Sequence, residues 1–181
     1  MPDPLLVAFV PGVTPGKWER VWRERRPLGR LELMPLPQNA ALAALRDGSV
    51  HMAILRDTSA NDDWHAIQLY RESRVVVAAK GSLVASLDSV DLADLKDENV
   101  LDVDILGGTG EEAVELVAAN VGVAVMPQSV ARAISRRDVV ARPLNDAPDT
   151  AISLVWPIEG EHELYDVFIG IVRGRTSNSS R

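Results

Sequence analysis

The chain contains no cysteine. Disulfides, thiolate metal sites and cysteine nucleophiles are therefore excluded. Aromatic residues make up only 4 % of it, so a core must be built mainly from Leu, Val, Ile and Ala. The sequence has no apolar run long enough to cross a membrane, and the opening MPDP lacks the positive flank of a secretory signal. Basic charge is in deficit: the formal net charge is -7, which argues against a general nucleic-acid binder. There is no G-x-S-x-G elbow, and His162-Glu163 is not followed by a second His at helical spacing, so no zinc-protease pattern exists. His51, His65 and His162 stand isolated along the chain. We therefore expect a cytoplasmic protein that is not an enzyme, with no catalytic residue, metal or cofactor and no membrane partner.

What is present is globular. The 181 residues are 46 % hydrophobic and 25 % charged, enough for one domain or two small lobes. The organising stretch is LLVAFVPGVTPGKW, from Leu5 to Trp18. Leu5–Val10 reads as a buried strand, and Pro11, Gly12, Pro15 and Gly16 break it. Thr14-Pro15 reads as a helix start, Thr14 as N-cap and Pro15 at the first helical position. A strand running through such a loop into a helix leaves N–H groups free for an anion. Thr14 offers a hydroxyl, Gly16 and Lys17 their amides, and Lys17 a charge. The plainer alternative is that Thr14 caps its own helix.

The expected elements then follow in order. A helix over 15–26 places Trp18, Val21 and Trp22 on one face. A strand over 31–36, an Ala/Leu helix over 39–47 and a strand over 50–55 complete a β-α-β-α-β unit with a parallel sheet. That strand ends at Arg56-Asp57, on the edge of the opening loop. Arg56 pairs either a ligand carboxylate or its neighbour Asp57. Extended segments are expected over 66–70, 74–79, 99–106, 121–126, 139–144 and 151–156. Helices are expected over 92–97, 111–120, 128–135 and 162–172. The order implies lobe I at 1–78 plus 146–173 and a short lobe II at 79–145. The strands 75–79 and 139–144 would cross between them, with a ligand in the cleft and a disordered polar tail at 174–181.

Two motifs tempt a stronger reading. Gly108, Gly110 and Ala113 match a G-x-G-x-x-A fingerprint, but Glu111 and Glu112 would repel a pyrophosphate, so a turn with two dipole-complementing glutamates is the better reading. Asp102 and Asp104 would share one strand face, and a solvated acidic surface explains them better than a metal does. Trp18 and Trp22 are either core or a partner-facing surface.

The order of segments resembles the effector-binding region of LysR-type transcriptional regulators. The residues that carry it are LLVAFVPGVTPGKW, NAALAALRDGSVHMAILR, YRESRVVVAAKGSLVA with LADL, and AVELVAANVGVAVMPQSVAR. The resemblance implies the type 2 periplasmic-binding-protein fold, two Rossmann-like α/β lobes, with the second lobe shortened here. It implies a small organic acid bound between the lobes. By position Thr14, Pro15 and Lys17 match its first-loop contacts, and Gln38, Arg56, Thr109 and Pro127 follow. It also implies a homodimer through the first helix, giving Trp18, Arg20 and Trp22 an interface role. The chain begins at the first strand of that region, so we expect a stand-alone module without a DNA-binding domain or direct nucleic-acid contact. A DNA-binding regulator is a possible partner. The rival readings are an interaction module with a vestigial cleft and a small α/β enzyme.

Overall fold

The computed structural model describes residues 3–25 and 29–174. The expected tail beyond residue 174, and the expected helix end at Arg26 and Pro27, lie outside the described residues. The chain forms two compact units, 1–70 with 151–181 and 71–150.

Unit 1 opens with β1 (Leu5–Phe9), α1 (Gly16–Arg25), β2 (Leu31–Pro35), α2 (Gln38–Arg46) and β3 (Met52–Arg56). β1 pairs in parallel with both β2 and β3, as the alternation of short strands and helices requires. β1 thus lies between its two successors, and the strand order reverses about it. Each helix buries a narrow stripe at i, i+4 spacing: Trp18 and Trp22 on α1, Ala41 and Leu45 on α2. Met52–Leu55 of β3 are all buried, the signature of a strand covered on both faces. β4 (Trp64–Glu72) follows and carries the chain across the unit boundary.

Unit 2 is a four-stranded sheet in the order β6-β7-β5-β8. Its elements are β5 (Arg74–Ala79), two 3-10 turns at Val84–Ser86 and Leu92–Leu95, β6 (Val100–Leu101), α3 (Glu111–Ala118), β7 (Val123–Pro127), α4 (Gln128–Ala133) and β8 (Val139–Pro143). β5 reads as a continuous apolar run because both its faces are covered. Val75 and Val77 pack with Val114, Val117 and Met126, whereas Val76 and Ala78 pack with Val84, Val90 and Leu95.

The chain returns to unit 1 through β9 (Thr150–Pro157) and ends with α5 (Tyr165–Val172). β9 pairs antiparallel with β3, giving the order β2-β1-β3-β9-β4. Phe168 of α5 packs edge-on against Trp22 at 6.1 Å.

Three expectations are corrected. The units divide at 70/71 and 150/151, not at 78/79 and 145/146, because β5 is held on both sides, by β7 and β8, inside the second sheet. The chain therefore passes between units at β4 and β9, and 75–79 and 139–144 are not the crossing strands. The strand expected over 99–106 is only two residues long. The Asp102 carboxylate accepts the N–H groups of Asp104 and Ile105 and turns the chain, so Asp102 and Asp104 do not share a strand face.

Candidate functional site

β1, β2 and β3 are parallel, so their C-terminal ends share one edge of unit 1. The loop after β1, the start of α2 and the turn after β3 meet there. In an open sheet of this kind, ligands gather at that edge where the strand order reverses. The edge is tied together by backbone bonds: Val10 N–H to Ile54 C=O at 3.2 Å, and Leu36 N–H to Phe9 C=O at 3.0 Å.

The first loop differs in detail from the expected cap. α1 begins at Gly16, and the Pro15 carbonyl accepts the first-turn N–H groups of Trp18 (2.9 Å) and Glu19 (3.1 Å). Pro15, not Thr14, therefore stands at the N-cap. Thr14 is exposed and, among the described residues, nothing takes its hydroxyl. Gly16 and Lys17 are exposed too, and a Cβ added to Gly16 would meet open space. Lys17 carries its ammonium over the Trp18 ring at 5.2 Å. The loop thus presents a hydroxyl, two amides of a helix first turn and one cation to solvent.

Gln38 and Arg56 are joined. The Gln38 amide nitrogen donates to the Arg56 carbonyl at 2.8 Å and to Thr58 Oγ1 at 3.3 Å, and its oxygen accepts the Arg56 N–H at 3.0 Å. The side chain imitates a strand neighbour, fastening α2 to the end of β3. Gln38 is therefore a positioning residue for this edge. Thr58, which also donates to the Arg56 carbonyl at 3.0 Å, was not singled out by the sequence. Its signal is the run Arg56-Asp57-Thr58 closing a wholly apolar strand. Asp57 adopts a left-handed backbone (φ 46) and exchanges two bonds with Ala151: its N–H to the Ala151 carbonyl, and the Ala151 N–H to its carboxylate, both 2.8 Å.

Thr109 and Pro127 belong to unit 2. Gly107, Gly108 and Gly110 all have positive φ, which only glycine adopts at little cost. Gly110 is buried, and a Cβ there would stand 3.0 Å from Val130 and Ile134 and 3.7 Å from Met126. The glycine motif is thus a turn packed against β7 and α4. Thr109 directly precedes Gly110, and Pro127 directly follows Met126.

The structure puts the indoles of Trp18 and Trp22 in the core of unit 1, 5 % and 2 % exposed. Of the two roles expected of them, core and interface, the core is the one their burial fits, and the exposed residues of α1 include Arg20, Arg23 and Glu24. The histidines also rearrange. The rings of His51 and His162 lie against each other, tilted by 48° with centroids 4.5 Å apart, whereas His65 lies against Trp156 at 5.3 Å. Among the described residues no group of three or more His, Asp or Glu side chains is placed to hold a metal. None of their helices is long and apolar enough to cross a membrane.

The model of the LysR substrate binding domain matches residues 17–105 and 101–177. Among solved structures, the effector-binding domain of a BenM variant aligns with TM-score 0.77 at 20 % identity, over 96 % of this chain and 97 % of that one. The BenM effector-binding domain with its effector benzoate gives 0.75 at 19 %, over 94 % and 90 %. A mutant OxyR regulatory domain from Pseudomonas aeruginosa gives 0.75 at 17 %, over 96 % and 96 %. A comparison with curated protein sequences gives no match.

Proposed function

The chain belongs to the family of LysR substrate-binding domains, with their type 2 periplasmic-binding-protein-like fold, and from that premise we propose that it is a non-enzymatic sensor of a small organic acid. The observation that carries this reading is the exposed set on the loop after β1. The Thr14 hydroxyl, the first-turn amides of Gly16 and Lys17 and the Lys17 ammonium suit a carboxylate. One similar domain is described with benzoate as its effector, which is an anion of the same class. The helix N-terminus adds a favourable field for negative charge. A role in cytoplasmic transcriptional control, exerted with a DNA-binding regulator, completes the reading.

The test is a thermal-shift screen of small aromatic and aliphatic carboxylates, followed by titration calorimetry on the best of them. At a hundred times its dissociation constant a ligand stabilises the fold by about 2.7 kcal/mol, a readily measured shift. Thr14→Val and Lys17→Gln should each weaken binding by about ten- to a hundredfold, the loss of one charge-assisted hydrogen bond. Neither should alter the melting temperature without ligand, since both positions are exposed. If no carboxylate stabilises the protein while another ligand class does, or if both variants bind like the parent, the reading fails.

β2 favours a second reading alongside the first. It is the edge strand of its sheet, and Leu31, Leu33 and Met34 on it are only half-buried. The helix that leads into it, α1, carries the exposed charges Arg20, Arg23 and Glu24. We propose that a second copy of the chain pairs here, with Arg20 at the interface. Sedimentation should show a dimer for the parent, and Arg20→Glu should raise its dissociation constant by about tenfold, the effect of one reversed rim charge. A parent that stays monomeric at millimolar concentration removes this reading.

A further inference from the structure

The paired histidines lie at the opposite end of unit 1's strands from the candidate ligand edge, beside Leu6 near the start of β1 and just ahead of β3. His51 is bound to Leu6 twice. Its N–H donates to the Leu6 carbonyl at 2.9 Å, and its Nδ1 accepts the Leu6 N–H at 3.0 Å. His162 repeats the pattern, its Nδ1 accepting the Leu164 N–H at 3.2 Å. A ring nitrogen that accepts a backbone N–H carries no proton, so these bonds assign the neutral ring with its proton on Nε2 in both cases. The Nε2 of His162 is buried and has no hydrogen-bond partner among the described residues. The neighbouring Tyr165 donates its hydroxyl to the His51 carbonyl at 2.9 Å and stacks on His162 at 5.8 Å. Leu164 and Phe168, 0 % exposed, seat the helix that follows.

We propose that the His51–His162 pair is a proton-operated latch on α5: two neutral rings seat the helix against the start of β3, and proton uptake loosens it. A second proton on His51 turns its Nδ1 into a donor that faces the Leu6 N–H. It also sets a cation against the adjacent imidazole, whose ring centroid is 4.5 Å away. The titratable groups facing His51 are His162 from the segment before α5, Tyr165 from α5 itself and Asp3 from the segment before β1, while β1 contributes the backbone of Leu6. Burial, helped by His162 and opposed by Asp3, holds the His51 imidazole below its ordinary value of 6.5. Burial pushes the Tyr165 hydroxyl up, so it remains a donor throughout. The unseated form therefore takes up its proton first. The seat is intact above pH 6.5 and weakens as the pH falls below that value.

Backbone amide exchange, followed by NMR on the full chain at pH 7.5 and 5.5 and corrected for intrinsic rates, tests the latch. Protection of the amides from Phe168 to Val172 should fall by about tenfold more than that of the β3 amides. His51→Asn offers an acceptor oxygen in place of Nδ1 and cannot titrate in this range. It should make α5 protection independent of pH. His51→Gln, which also cannot titrate in this range, stands in if His51→Asn does not fold. The latch is overturned if parental α5 and β3 respond alike, or if the folded His51 variant keeps the parental pH response.

Discussion

Trp22→Ala should lower the unfolding free energy by about 3–5 kcal/mol, read as the shift of a urea melt followed by circular dichroism. The indole is 2 % exposed and belongs to the core cluster that also holds Leu5, Leu45 and Phe168. Its loss forfeits the edge-on contact with Phe168 and leaves a cavity where α1 meets α5. It also orphans a polar group, since the indole Nε1 donates to the Gly29 carbonyl at 2.8 Å. That bond holds the entry to β2, so the cost reaches the edge strand as well as the helix. Arg20→Ala, on the exposed face of the same helix, should stay within about 0.5 kcal/mol of the parent. The comparison matters for any study of self-association. A charge placed at Trp22 would unfold unit 1 and abolish pairing for a trivial reason, so Arg20 is the position that reports on an interface.

The parallel core of unit 1 was readable because each strand is a short apolar run and each connection holds one amphipathic helix. Leu5–Val10, 31–36 and 50–55 announce themselves by composition, and the glycines and prolines between them leave little room for error. The edge that these strands create was readable for the same reason, since parallel β1 and β3 end on the same side, the first before Thr14–Lys17 and the second at Arg56. The details depend on contacts that no local pattern encodes. Gln38 looks like a surface helix residue until the end of β3 is brought to it, when both its amide groups are taken by Arg56. His51 and His162 are distant in sequence and have no shared motif, yet the return of the chain through β9 brings their rings together. The apolar residues after Asn99 suggest a long strand, but the Asp102 carboxylate competes successfully for the next two backbone amides and ends it. The tryptophans of α1 show the limit of composition. Indoles on a charged helix suit an interface and a core equally, and only the position of α5 decides between them.

Gly122→Ala should cost about 3 kcal/mol, at the upper end of the range for overpacking, because the added carbon meets backbone and not a yielding side chain. A Cβ built there stands 2.1 Å from the Asn99 carbonyl oxygen, and 3.1 and 3.2 Å from the Asn99 carbonyl carbon and Cβ. That oxygen accepts the Val123 N–H at 2.9 Å, the bond that opens the parallel pairing of β6 with β7. The Asn99 side chain completes the crossing by donating to the Val121 carbonyl at 2.9 Å. To admit a methyl group the chain at Asn99 must move outward, and both bonds stretch with it. β6 has only two residues with which to resist, so the edge of the unit 2 sheet should detach before the rest. The measurement is a urea melt together with amide exchange at Leu101 and Val123, which should lose protection while Val76 and Val77 in β5 keep theirs. The same change at Gly170 should have the opposite sign. That glycine lies inside α5 with nothing within 4 Å of an added Cβ, so alanine there should stabilise by about 0.5–1 kcal/mol through helix propensity alone. One substitution thus separates a glycine required by a close backbone approach from one the helix merely tolerates. Equal effects at the two positions would mean that the Asn99 crossing does not hold β6 in place.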